Sequence, residues 1–251
     1  MTGLAGWGLM SPSRSSSSDL DMSTRETLPA EDGGSRAADA GVAPVLRVQD
    51  LRKSFARGLW PRRRVEVLSG ASLEVQHGEI VGLVGENGSG KSTLMKIVVG
   101  LLDRDAGTVE RPNRLGYCPQ IPLLWEKLKV DEHFELFAQA YGIGEEAGQD
   151  AAAALLAELE FERYSGYRVE ELSGGTRQKL NLALSLMHDP ELLLLDEPYA
   201  GFDWETYMRF WEMSESRRDR GMGILVVSHF LTERERLDRV YKLCDGKACV
   251  E

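Results

Sequence analysis

The run Gly85-Glu86-Asn87-Gly88-Ser89-Gly90-Lys91-Ser92 has the spacing G-x-x-x-x-G-K-[ST]. Each fixed residue type has a chemical reason. Glycines let successive backbone N–H groups turn inward and form a nest for anionic oxygens. A helix opening near Lys91 adds the positive end of its dipole. Lysine at that place reaches the outer phosphates of a nucleotide, and the hydroxyl that follows suits Mg²⁺. A second signal is Leu192-Leu193-Leu194-Leu195-Asp196-Glu197, an apolar run that ends in two carboxylates. If the run is a buried strand, both acids stand at the carboxyl edge of a sheet, where ligands sit in open α/β folds. Asp196 then suits a metal held through water, and Glu197 a water that must lose a proton. A glycine-rich turn or an acid after a strand is commonplace alone. Together, with a strand before the loop and a helix after it, they point to phosphate chemistry.

Around these residues the chain alternates strand-like and helix-like segments. Residues 45–48 and 72–75 alternate as strands, 79–84 feeds the glycine-rich turn, and 91–101 continues it as a helix. Residues 114–118 read as a short strand, and 130–141 and 151–161 as helices. In 177–188, Leu180, Ala183, Leu184 and Met187 share one helical face. Residues 192–195 are continuously apolar, as in a parallel strand buried on both faces. Residues 203–218 and 232–237 read as helices, 224–227 as a strand, and 240–243 with 247–250 as a hairpin about Asp245-Gly246. Strands alternating with helices give an α/β fold with a mostly parallel sheet. The segment 57–64, with Trp60, Pro61 and a basic run, reads as an exposed hairpin loop.

Residues 1–44 differ in kind. They hold a serine run at 15–18 and three arginines against six acids, without periodicity. Too little apolar surface is available there to offset ordering entropy, so a disordered tail is expected, with Met22 an alternative start. The stretch before it lacks the basic region of a secretory signal. Over 251 residues the formal net charge is -10, which argues against a general nucleic-acid binder and against docking on anionic lipid by charge. No apolar run approaches the roughly 20 residues of a membrane helix. The three cysteines, Cys118, Cys244 and Cys249, have no metal-ligand spacing and imply no disulfide framework.

Leu172-Ser173-Gly174-Gly175-Thr176 opens the helical segment that precedes Asp196. Here the chain resembles the ATP-binding subunit of ATP-binding-cassette (ABC) transporters, whose signature reads LSGGQ; Thr176 departs at the last position. The resemblance runs from about residue 45 onward. It implies a P-loop NTPase core with a mostly parallel sheet, an antiparallel β sub-domain, and an inserted helical sub-domain over about 121–172. It implies ATP and Mg²⁺ as ligands and ATP hydrolysis as the reaction. Gly85, Asn87, Gly88, Ser89, Gly90, Lys91, Ser92 and Thr93 would then hold nucleotide, Ser92, Gln120 and Asp196 the metal, and Glu197, Gln120 and His229 the chemistry. Gln120 matches the Q-loop glutamine and His229 the switch histidine. Ala200-Gly201-Phe202-Asp203 matches the D-loop, with Phe202 where leucine is usual. Phe55 falls where an aromatic residue stacks on adenine, and Trp60 is its rival.

The resemblance also implies partners. Two cassettes, as homodimer or heterodimer, pack head to tail, so that Ser173, Gly174 and Gly175 of one chain close on the ATP held by the other. A separately encoded membrane permease would place the chain at the inner face of a membrane. Leu123, Leu124 and Trp125 are candidates to grip it, with sub-domain core the equal alternative. The short stretch after His229 leaves no room for the regulatory domain of some importer ATPases, a layout closer to ABC-2-type exporters. The rivals are a soluble ABC ATPase acting on ribosomes or DNA, and a P-loop kinase or GTPase. The first kind carries two cassettes or a long coiled coil, and the second leaves the Ser173 signature unexplained.

Overall fold

The computed structural model describes residues 43–57, 63–228 and 234–251. The expectations for the tail up to residue 42, for Trp60 and for His229 lie outside the described residues.

Strands β1 (Leu46–Arg57) and β2 (Arg63–Val75) form a long antiparallel hairpin in which Val48 stands opposite Leu73. Strand β3 (Ile80–Val84) leads through the glycine-rich turn into helix α1 (Lys91–Val99). That helix stops two residues before the expected end, because Gly100 takes a left-handed φ of 84° and its N–H closes on Ile97 and Lys96. Strand β4 (Ala106–Glu110) pairs with the free edge of β1 and completes an antiparallel sheet of order β2-β1-β4. The sequence reading passed over β4, since Ala106-Gly107-Thr108 carries little apolar alternation.

Strand β5 (Leu115–Cys118) precedes α2 (Val130–Tyr141) and α3 (Glu145–Glu158). The first helix lies where its apolar spacing predicts. The second begins six residues early, at the acidic pair Glu145-Glu146 that favours a helix N-terminus, and ends before Phe161. Helix α4 (Gly174–Leu186) and strand β6 (Leu192–Asp196) follow, then α5 (Trp204–Asp219), β7 (Gly223–Ser228), β8 (Arg239–Cys244) and β9 (Lys247–Val250). In the expected helix 232–237, the described part is a single 3₁₀ turn, Arg234–Arg236.

The second sheet has the order β5-β6-β7-β3-β8-β9, parallel throughout except for the terminal β8–β9 hairpin. Its central strands separate two apolar layers. Leu193, Leu195, Ile224 and Val226 face a layer built from α2 to α5, including Phe134, Leu180, Phe210 and Trp211. Leu192, Leu194, Leu225 and Val227 face the other, with Leu94, Met95, Val48 and Leu73. The leucine run of β6 is thus continuous because both faces are buried, with every residue at 0% exposure from Leu192 to Leu195. The Leu180–Met187 face of α4 is buried as its spacing predicts.

Candidate functional site

The parallel strands β3, β6 and β7 deliver their carboxyl ends to one place. After β3 the chain turns back on itself, Ser89 N–H donating to Glu86 O at 3.1 Å. Gly90 holds φ at 107°, and a Cβ there would lie 3.1 Å from the Val67 carbonyl oxygen. Both facts exclude a larger residue without rearrangement. Lys91 is buried and curls over the loop, its Nζ donating to Gly85 O at 2.6 Å and Glu86 O at 3.0 Å. Burial pulls its pKa below the usual lysine value, while Glu197 and Asp196 act in the opposite direction. Ser89 Oγ is buried without a hydrogen-bond partner among the described residues.

Strand β6 ends in Asp196, which is 5% exposed. Glu197 then takes a left-handed φ of 50°, a conformation that costs a non-glycine residue on the order of 1–3 kcal/mol. Its N–H donates to Val227 O at 3.0 Å, which fixes the turn against β7. Gln120 arrives from the end of β5, and its Nε2 donates to Glu197 Oε2 at 2.7 Å. A cavity of about 520 Å³ is lined by Asn87, Gly88, Gly90, Lys91, Ser92, Thr93, Gln120, Asp196 and Glu197, together with Val67 of β2. Residues far apart in sequence therefore meet as the motifs predict. Gly85 and Ser89 stand behind this lining, in the loop itself.

The remaining predicted residues lie elsewhere on the chain. Ser173 is the N-cap of α4, and its Oγ accepts from Thr176 N–H at 3.2 Å. A Cβ on Gly175 would lie 2.6 Å from Gly201 O, so the signature and the 200–203 turn meet backbone to backbone. Gly174 has open space around it. Asp203 caps α5, accepting from Thr206 N–H at 2.8 Å, and these hydrogen bonds hold its carboxyl below the usual value. None of Ser173, Gly174, Gly175 and Asp203 lines the cavity of their own chain. Phe55, 39% exposed on β1 beside the Lys53 ammonium, does not line it either.

The group after Gln120 divides. Leu123 and Trp125 are 71% and 53% exposed, whereas Leu124 packs into the helical layer. The sequence reading missed a groove of about 640 Å³ between α2 and α3. Phe134, Ile143, Ala152 and Leu156 are among the apolar residues along it, and Asp131, Glu135 and Glu145 lie on its rim. The ring of Tyr199 packs on Tyr207 and Phe210, and its hydroxyl bonds the side chain of Ser228. The small residues Gly148, Ala152 and Ala153 and a tyrosine after a proline gave no chemical signal in the sequence.

The oxygen donors Ser92, Gln120 and Asp196 converge on the same cavity. Such a set suits a hard cation of the Mg²⁺ type that keeps waters and takes phosphate oxygens, not an all-protein cage. Among the described residues no group of three or more His, Cys, Asp and Glu able to hold a metal occurs. The glycine cradle and the orphaned Ser89 hydroxyl fit a phosphate chain.

The family model described as ABC transporter matches residues 68–200. The chain is 36% identical over 223 residues to Nod factor export ATP-binding protein I of Burkholderia lata, covering 84% of this chain and 71% of that one. Against the protein of the same name from Burkholderia orbicola it is 36% identical over 198 residues, with 74% and 65% covered. It is 33% identical over 223 residues to human ATP-binding cassette sub-family A member 10, spanning 81% of this chain but 14% of that much longer one. A solved ATP-binding subunit of an ABC transporter superposes with a TM-score of 0.74 at 29% identity, covering 82% of this chain and 89% of that one. A dimeric post-hydrolysis state of an ATP-binding cassette, bound to ADP and Pi, superposes with a TM-score of 0.75 at 24% identity, covering 82% and 97%.

Proposed function

Since this chain belongs to the ABC transporter family of ATP-binding proteins, we propose that it is the ATPase subunit of a transporter whose membrane-spanning part is another chain. Residues 45–251 form its ATP-binding domain, with a helical sub-domain over about 121–172. The observation that carries the reading is the meeting of Lys91, Ser92, Gln120, Asp196 and Glu197 around one cavity at the carboxyl edge of the parallel sheet.

The residues divide the work as follows. The backbone N–H groups of the 85–92 loop and the dipole of α1 take the phosphates. Lys91 exchanges its two carbonyl partners for β- and γ-phosphate oxygens. Ser92, Gln120 and Asp196 would hold Mg²⁺, which supplies neutralisation of the phosphate charge. Glu197 accepts a proton from the attacking water as the water oxygen bonds to the γ-phosphorus and the bond to the β–γ bridging oxygen breaks. The products are ADP and inorganic phosphate. Gln120 orients both Glu197 and the water, and His229 contacts the γ-phosphate. Phe55 or Trp60 stacks on the adenine.

A second copy, or a second cassette, completes the site. Ser173, Gly174 and Gly175 of the partner close on the γ-phosphate, with Asp203 beside the interface. The separation of these residues from their own cavity supports this division. ATP then joins the two chains, and its hydrolysis releases them. The α2–α3 groove and the exposed Leu123 and Trp125 offer an apolar surface with an acidic rim for a membrane partner. Among the described residues no helix is long and apolar enough to cross a membrane. An ABC-2-type export partner is the finer reading, supported by the two export relatives. The test is fractionation. The chain should reach membranes only when its cognate permease is co-expressed, and Trp125→Asp should weaken that association while ATP binding persists. Tight binding to protein-free liposomes, or stable recovery with ribosomes or DNA alone, would overturn it.

A further inference from the structure

Helix α4 begins at the signature cap Ser173, and about two turns later it carries Asn181. Asn181 is 7% exposed and its amide reaches out of the helix to the end of β5. Its Nδ2 donates to Pro119 O at 2.8 Å, and the same nitrogen lies 3.2 Å from Cys118 Sγ. Gln178, one turn earlier and 3% exposed, places its Nε2 3.8 Å from that sulfur. Pro119 is the residue before Gln120, whose Nε2 holds Glu197 Oε2 at 2.7 Å. A continuous chain of contacts thus runs from the signature helix through Asn181, the Pro119 carbonyl and Gln120 to the carboxylate of Glu197.

The contact is costly to lose at this place. Both protons of the Asn181 amide point at acceptors in a buried setting, where an unpaired carbonyl or amide is penalised. Pro119 has no N–H, so its backbone anchors the turn only through its carbonyl. The Cys118 thiol is fully enclosed, and burial pushes its pKa well above the usual value, so it stays protonated and neutral. A neutral sulfur is a weak acceptor, which leaves the Pro119 carbonyl as the main fixed point. Without it, the turn carrying Gln120 keeps the end of β5 and the Gln120–Glu197 hydrogen bond but loses its tie to α4.

We propose that Asn181 is a positioning residue for hydrolysis: by gripping the Pro119 carbonyl it sets Gln120 against Glu197, and it ties the register of the signature helix to the chemistry in the same chain. A ligand that shifts α4 by engaging Ser173 therefore shifts Gln120 as well. The inference rests on Gln120 and Glu197 belonging to the hydrolytic site, and the kcat of Gln120→Ala alone, against the unmodified chain, tests that premise separately.

The experiment is a double-mutant cycle in kcat on the full chain, using Asn181→Leu, Gln120→Ala and the pair, with the KM for ATP and Tm of each. Leucine keeps the forked shape of the asparagine side chain, with somewhat more bulk, but donates nothing. Asn181→Leu should lower kcat about tenfold, with KM for ATP changed less than about twofold. In the Gln120→Ala background the same substitution should have almost no further effect, because a residue that acts through Gln120 has nothing left to position. Losses that multiply in the pair would show that Asn181 acts independently of Gln120 and overturn the inference. So would an unchanged kcat in the single variant, or a loss confined to KM. If Asn181→Leu does not fold, Asn181→Ser, too short to reach Pro119, carries the same cycle and the same outcomes.

Discussion

Replacing Glu197 with glutamine separates binding from chemistry more cleanly than any other change in the cavity. The side chains are isosteric, and a glutamine at 197 still offers an oxygen to the Gln120 Nε2 that donates to Glu197 at 2.7 Å. The local fold is retained, since the left-handed turn is fixed by the backbone bond to Val227 O. What disappears is the basic oxygen and one negative charge near Lys91. Loss of a positioned general base removes on the order of 10²–10⁴ in rate. At 1.36 kcal/mol per factor of ten, that is about 2.7–5.4 kcal/mol on the barrier. ATP binding should hold or tighten, because a carboxylate that repels the γ-phosphate is gone. Phosphate release measures the rate, a fluorescent ATP analogue the affinity, and light scattering the ATP-bound dimer, which should accumulate. Turnover within a factor of about three of the unmodified chain would refute the assignment of Glu197. A parallel loss of ATP affinity would show that Glu197 supports the loop instead of the reaction.

Two further outcomes follow from the same geometry. Gly90→Ala puts a Cβ against the Val67 carbonyl at a φ of 107°, so it should cost about 1–3 kcal/mol, lower Tm by several degrees, and abolish ATP binding; an unchanged melting curve would contradict the close approach. Burial raises the Cys118 pKa while Cys244 and Cys249 are exposed. Because the thiolate is the reactive species, Cys118 should resist a thiol reagent across pH 7–9 in the native protein and react once the chain is unfolded, whereas the two exposed thiols react in the native protein as well; rapid native labelling of Cys118 would show that the β5 end opens.

The motifs were legible because phosphate chemistry leaves few choices. A backbone nest needs glycine, the outer phosphates need a cation, and a hard metal needs oxygen. The four leucines of β6 marked a strand buried on both faces, and the layers on either side of it explain why no polar residue interrupts the run. Less legible were features whose cause lies in tertiary contact. Strand β4 forms because β1 has a free edge, not because Ala106-Gly107-Thr108 favours a strand. Leu124 packs into the helical layer while Leu123 faces solvent and Trp125 lies half-exposed against His133 and Phe137, a division set by packing and invisible in three consecutive apolar residues. Asn181 reads as one more polar position on a helix that already carries Arg177, Gln178, Lys179 and Ser185, until Pro119 is seen beside it.

The central claim is that the phosphate loop acts within its own chain while the signature acts on the partner. Mixing two inactive variants tests it directly. Lys91→Ala destroys the loop but leaves the signature, and Ser173→Arg fills the signature cap but leaves the loop. Alone, neither should hydrolyse ATP, and Ser173→Arg monomers should still bind it. In a head-to-tail dimer of the two, one site is doubly damaged and the other is intact. With random pairing, half of the dimers are mixed, so an equimolar mixture should recover up to about a quarter of the unmodified rate. A mixture that forms heterodimers and hydrolyses no ATP would contradict the claim.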